Sequence, residues 1–180
     1  MIKVTVLDDY QGVVARLDAV NVLEGLDIDL DVMTHHIEDE SALARVLAKT
    51  DCLVLIRERT QISASLIAAL PCLKLIVQTG RLSSCIDLEA CRTRGIPVKD
   101  GSGNPIAPTE LTWALILAAS RRLVPYAQQL AQGNWQRSAT DIADESLGRA
   151  VHGRTLGVWG YGKIGKRVAA IGRAFGVTIL

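Results

Sequence analysis

The chain has 180 residues, 20 Lys and Arg against 19 Asp and Glu, and a net charge of +1. So even a balance leaves no electrostatic footprint for nucleic acid or an anionic membrane surface. An apolar share of 49% with 22% charged residues is that of a globular domain with a core, and the length suits one domain better than two.

Apolar runs and helical patterns alternate from the start. MIKVTVLDD reads as a strand, IKVTVL, and not as a leader, because its apolar stretch is short and acids follow at once. Val13 to Val20 is weakly helical. LDIDLDVM alternates at Leu26, Ile28, Leu30 and Val32, the period of a strand. Ser41 to Lys49 has helical spacing, with Leu43, Val46 and Leu47 on one face. CLVLI is a short, wholly apolar strand of the kind covered on both faces in a parallel sheet. A helix starts at Ser63 and ends at Pro71. LKLIV is the fourth strand, Asp87 to Arg94 the next helix, and Ile96-Pro97-Val98 a short fifth strand. This alternation gives βαβ units, so residues 1–103 read as a flavodoxin-like α/β domain with a doubly wound parallel sheet.

DGSGNPIAPTE is a turn-rich linker into a helical stretch from Ala107 to Gln132. Pro108 suits the first turn, where its missing N–H costs nothing, and Pro125 should break the stretch near Arg122 to Val124. Residues 133–152 are polar and irregular, a loop. A strand, TLGVWG, follows Arg154; a helix runs from Lys163 to Phe175; VTIL opens another strand. Residues 104–132 therefore read as linking helices, and 133–180 as an incomplete Rossmann βα unit.

No window approaches the roughly 18 uninterrupted apolar residues of a membrane span. The cysteines, Cys52, Cys72, Cys85 and Cys91, show neither C-x-x-C nor paired His spacing, which argues against a zinc site. Cys52 and Cys72 sit beside apolar runs and are expected to be buried thiols, which fits a reducing cytoplasm. The basic pairs Arg57/Arg59, Arg92/Arg94 and Arg121/Arg122 read as solvated faces, as do His35 and His36.

Chemistry concentrates in GVWGYGKIGKRVAAIGRAFG. Gly160, Gly162 and Gly165 form G-x-G-x-x-G between a strand and a helix, as a dinucleotide site requires. Gly160 permits the tight turn, Gly162 lets backbone approach a pyrophosphate, and Gly165 lets helix and strand pack closely. The helix N-terminus offers free N–H groups and a partial positive charge. A second candidate is QTGRLSS, residues 78–84, at the carboxyl end of the fourth strand, where open α/β sheets bind ligands. Its Arg81 suits a carboxylate or phosphate, or is a surface arginine. Asp8 and Asp9 close the first strand as in phosphorylatable receiver domains, but LIRERT lacks the Asp those domains need after the third strand.

Several stretches together resemble the D-isomer-specific 2-hydroxyacid dehydrogenases: LKLIVQTGRLSSCIDLEACRTRGIPV, GNPIAPTELTWALILAASRRL with Asn104 and Glu110, GNW at 133–135, and LGVWGYGKIGKRVAAIGRAFG. The resemblance implies an NAD(P)-dependent oxidoreductase acting on a small D-2-hydroxy or 2-oxo acid of the glyoxylate, hydroxypyruvate or phosphoglycerate type. It implies a cytoplasmic homodimer, with a substrate-type domain first and the cofactor domain inserted after it. It assigns cofactor contacts to Gly160, Tyr161, Gly162, Lys163, Ile164 and Gly165. Substrate contacts fall to Gly80, Arg81 and Leu82, whose backbone N–H groups would hold the carboxylate, and to Asn104. Leu82, Ser83 and Ser84 stand where the common family version is glycine-rich. Asn104 equally suits an Asx-turn before Pro105, and Glu110 a helix start.

By family register the ribose-binding acid that would separate NAD from NADP, and the catalytic Arg, Glu and His, fall beyond Leu180. No catalytic residue is assigned in this chain, His152 included. The alternative is a non-enzymatic fragment or interaction module. It would leave TLGVW and VTIL without strand neighbours and the helix from Pro108 without cover. Self-association, no turnover and at best weak cofactor binding are then expected.

Overall fold

A computed structural model describes residues 1–23, 25–82, 84–136 and 147–180. The chain divides into two compact units, Met1–Gly103 and Asn104–Leu180.

The first unit is built on five parallel strands, β1 (Ile2–Leu7), β2 (Ile28–Val32), β3 (Cys52–Ile56), β4 (Leu75–Thr79) and β5 (Val98–Asp100), in the order β2-β1-β3-β4-β5. That order is the flavodoxin one. The register runs Val4 to Cys52 and Cys52 to Leu75, so the apolar strands lie side by side at the centre. Helices α1 (Asp18–Asn21), α2 (Glu40–Leu47), α3 (Ala64–Ala69) and α4 (Leu88–Thr93) connect them. Three helices start where a short polar side chain accepts an amide of the first turn: Asp39 from Ala42, Ser63 from Leu66, and Asp87 from Ala90. Such caps contribute about 1 kcal/mol each. Leu47, Leu53, Leu66, Ile67 and Ile76 are fully buried in one contiguous core. Arg94 reaches back to the carbonyls of Ile67 and Leu70 at the end of α3.

Boundaries moved where caps outweighed hydropathy. The fifth strand is Val98–Asp100 and not Ile96–Val98, because the Ile96 amide closes α4 onto the Cys91 carbonyl. The fourth strand begins at Leu75, two residues after Leu73, and runs through Gln78 and Thr79. Between Val13 and Val20 there is only a 3-10 turn, Val14–Arg16, before the single turn of α1, because Leu17 is extended. Cys72, expected to be buried, is exposed in the turn after Pro71; Cys52 is half-buried, and Cys85 and Cys91 are the buried thiols.

In the second unit, α5 (Ile106–Ser120) and α6 (Leu123–Ala131) are separated at Arg122, whose φ of 54° is left-handed. The break precedes Pro125, which sits in the first turn of α6. Of the loop read at 133–152, residues 137–146 lie outside the described residues. Strands β6 (Thr155–Leu156) and β7 (Thr178–Ile179) pair in parallel, flanking α7 (Lys163–Ala174) in the chain. The expectation that they lack strand neighbours is therefore corrected: each is the other's neighbour.

Helix α5 is also not bare. Trp113 is 5% exposed, and its indole N–H donates to the Val168 carbonyl of α7 at 3.1 Å. Its ring lies 4.9 Å from that of Phe175. Gly172 provides the room, since a Cβ there would stand 3.2 Å from Trp113 Cζ2 and 2.9 Å from Ile179 Cδ1. Because α5 starts at Ile106, Glu110 lies in its second turn, beyond the reach of the dipole effect expected of it.

Candidate functional site

Each unit presents one candidate region. In the second, the chain leaves β6, turns at Gly160 and enters α7. Gly160 has φ 94°, which a side chain would strain. A Cβ on Gly165 would collide with the Gly160 carbonyl oxygen and stand 3.2 Å from Val158 Cγ1. Gly162 is different: it caps α7 in an extended conformation, and a Cβ there would meet open space. The three glycines thus hold separate conditions, a turn, a close approach and an open face.

The first helical bond is from the Lys166 N–H to the Gly162 carbonyl at 3.0 Å. The amides of Lys163, Ile164 and Gly165 therefore lie ahead of the ladder, and no side chain caps them. No acid sits in the first turn of α7. Tyr161 and Ile164 are exposed, and the Tyr161 hydroxyl accepts from Arg173 at 3.4 Å. A cavity of about 320 Å³ lies beside the loop, lined by Thr112, Ile116, Val158, Ile164 and Val168 among others. An unneutralised helix N-terminus behind an open glycine suits a pyrophosphate in charge and in space. Among the described residues, no group of three His, Cys, Asp or Glu could hold a metal.

In the first unit, the three central strands each end on a left-handed residue: Asp8 after β1 (φ 61°), Arg57 after β3 (58°) and Gly80 after β4 (95°). The Gly80 loop is pinned from β5, for the Gly101 N–H points at the Gln78 and Gly80 carbonyls at 3.0 and 2.9 Å. The Arg57 amide donates to Thr79 Oγ1 at 3.2 Å. Arg81 is exposed and Leu82 partly so; Ser83 lies outside the described residues. Asn104, in the other unit, accepts the Ile106 N–H on its side-chain oxygen at 3.0 Å, the Asx-turn geometry.

Sequence reasoning missed what lies beside Gly80. Arg57, exposed as read from the sequence, and Arg59, which is not, stand at the carboxyl edge of the sheet. Arg59 is half-buried, its guanidinium 4.7 Å from the Tyr10 ring centroid and donating to the Asp8 carbonyl at 2.5 Å. His36 is likewise not simply solvated, since its Nδ1 lies 3.0 Å from Asp8 Oδ1. Asp9 accepts the Val14 amide at 2.8 Å, and that bond foremost holds its carboxyl below the usual range. Burial, and then the Asp8 charge, push the Tyr10 hydroxyl up. The available signal was position alone: these residues follow apolar parallel strands directly. His152 instead lies against the turn at Gly176.

A dinucleotide-type glycine loop in one unit and a flavodoxin-type sheet in the other define an α/β protein of the cofactor-dependent kind. Residues 113–180 match the family model described as D-isomer specific 2-hydroxyacid dehydrogenase, NAD binding domain. The chain is 32% identical to the hydroxypyruvate reductase of Thermotoga maritima over 84% of its length and 47% of that protein. It is 32% identical to the D-3-phosphoglycerate dehydrogenase of Methanocaldococcus jannaschii over 100% of its length and 32% of that protein. Among solved structures, a phosphoglycerate oxidoreductase of Vibrio cholerae superposes with a TM-score of 0.87 at 49% identity, covering 99% of this chain and 55% of that one. An oxidoreductase of Ralstonia solanacearum gives 0.88 at 44%, covering 99% and 54%. The chain belongs to the D-isomer-specific 2-hydroxyacid dehydrogenase family, and the model that residues 113–180 match is that family's NAD binding domain. The chain spans less than half the length of the curated relatives it matches, 47% of the Thermotoga maritima protein and 32% of the Methanocaldococcus jannaschii one.

Proposed function

We propose that these residues serve an NAD(P)-dependent oxidoreductase that interconverts a small D-2-hydroxy acid and its 2-oxo acid. The observation that carries the reading is the glycine loop, where a left-handed Gly160, an open Gly162 and a close-packed Gly165 precede uncapped amides of α7. Gly162 to Gly165 would receive the pyrophosphate on backbone N–H groups, with Tyr161, Lys163 and Ile164 along its sides. The nicotinamide supplies a hydride acceptor or donor when bound. This chain's part is to bind and orient, and none of its described histidines is given the proton-transfer role.

In the first unit, the Gly80, Arg81 and Leu82 loop and the arginines beside it are read as the holders of the substrate's anionic end. Asn104 is retained as a linker group whose side-chain oxygen holds its own turn. The names of the relatives favour glyoxylate, hydroxypyruvate or phosphoglycerate as the substrate type. The reading includes a cytoplasmic homodimer; exposed Leu111 and Leu115 on α5 and Leu123 and Val124 on α6 supply apolar surface for it. No described helix is long and apolar enough to cross a membrane.

The test is an assay of the native protein for NADH or NADPH consumption with glyoxylate, hydroxypyruvate and phosphohydroxypyruvate. Steady consumption with one of them supports the reading. Consumption with none, under conditions where the cofactor binds, contradicts it.

A further inference from the structure

The half-buried arginine after β3 is held in an unusual way. Arg59 makes no ion pair within 4.0 Å among the described residues. Its guanidinium donates to a neutral acceptor, the main-chain carbonyl of Asp8, at 2.5 Å, with the Tyr10 ring alongside at 4.7 Å. The two nearby carboxylates are committed elsewhere: Asp9 feels the Arg59 charge but accepts the Val14 amide at 2.8 Å. Asp8 is 3% exposed; its Oδ2 accepts from Thr60 Oγ1 at 2.5 Å, and its Oδ1 lies 3.0 Å from His36 Nδ1 and 3.5 Å from the Tyr10 hydroxyl.

That arrangement has a physical consequence. Asp8 adopts φ 61°, a conformation that non-glycine residues hold only when their surroundings over-determine it. Bonds from Thr60 after β3 and His36 after β2 fix the Asp8 side chain, while the Tyr10 N–H donates to the Asp8 carbonyl at 2.9 Å and the Asp9 N–H to the Met33 carbonyl at 2.8 Å; together they set the direction of the Asp8 carbonyl. The carbonyl aims the guanidinium. A guanidinium bound to a carbonyl keeps its full charge, and a planar fork fixed in advance loses little freedom when it meets a planar or tetrahedral oxyanion.

We propose that Asp8 is a positioning residue, locked by Thr60 and His36, that holds Arg59 as a preformed receptor for a carboxylate or phosphate group at the carboxyl edge of the first unit. The proposal rests on the reading of that edge as the holder of the substrate's anionic end, and it adds which residues set the receptor's geometry.

The test titrates sodium glycolate and inorganic phosphate into the purified chain, following by NMR the backbone amide signals of positions 57, 59 and 80, which wild type and every variant retain. Wild type should saturate with at least one probe, and the tighter of the two shows whether the site takes a carboxylate or a phosphate. Arg59→Gln should abolish saturation. Asp8→Gly, which keeps the left-handed backbone accessible but removes the lock, should weaken binding at least fivefold. Thr60→Val should do the same, and Thr60→Ser should restore wild-type affinity, a rescue that a merely structural role would not require. If Asp8→Gly does not fold, Thr60→Val against Thr60→Ser decides. Wild-type affinity in Asp8→Gly or Thr60→Val, with binding lost in Arg59→Gln, overturns the positioning role and leaves the anion edge standing. Wild-type affinity in Arg59→Gln overturns both.

Discussion

Gly165 lies beneath the carbonyl oxygen of Gly160 so closely that no side chain fits between them, whereas Gly162, between the two in sequence, faces open space. The same motif therefore contains a packing glycine and a ligand-facing glycine. Gly165→Ala should destabilise the chain by about 2 kcal/mol, because the collision is with backbone that cannot yield cheaply. Urea unfolding checks it. Gly162→Ala should unfold within about 1 kcal/mol of wild type, since its φ of −84° suits any residue.

Trp113 ties α5 to α7 by ring packing and by one hydrogen bond to Val168. Trp113→Phe should cost about 1–3 kcal/mol, the loss of volume plus an unpaired carbonyl. Gly172→Ala should compete for the same space and destabilise as well. Thermal unfolding of the two single variants and the double variant would show the coupling, because the smaller ring makes room for the added methyl.

Most of the sheet was legible in the sequence because CLVLI is a wholly apolar run of strand length and IKVTVL is rich in β-branched residues. The glycine loop was legible because the spacing of its three glycines is a known pattern, two of them, Gly160 and Gly165, answering backbone requirements that a side chain would violate. What was not legible depended on long-range contacts. Nothing near Trp113 in sequence announces Val168, and nothing near Arg59 announces the Asp8 carbonyl across the β1–β3 ladder. The fifth strand shifted because a helix end claimed the Ile96 amide, a competition that hydropathy does not register.

At the opposite end of the sheet, Asp51 accepts from Lys74 at 2.8 Å and from the Lys3 amide at 2.9 Å. The Lys74 bond foremost lowers the Asp51 carboxyl, and the same bond raises the Lys74 ammonium. A carboxyl depressed on folding contributes stability that is full above its unfolded value, about 4, and is lost as pH falls through the folded value. Urea midpoints should therefore decline below about pH 4 in wild type. Asp51→Asn should be less stable at neutral pH and lose less on acidification; an unchanged acid slope would contradict the assignment.

The thiols should separate by accessibility. Cys72 is exposed, whereas burial raises the Cys91 thiol and removes it from reagents. In native buffer, a thiol reagent should label Cys72 first and Cys91 only as the chain opens, as peptide mapping over time would show.

Whether the loop from Gly160 to Gly165 receives a dinucleotide pyrophosphate is decided by an NMR titration of the isotope-labelled chain with NAD and with NADP, run beside Gly162→Val. Saturable shifts are expected at the Gly162, Lys163, Ile164 and Gly165 amides with at least one cofactor, weakened about tenfold or more by Gly162→Val in a folded chain. Unmoved amides at cofactor concentrations that perturb other residues would contradict pyrophosphate binding there.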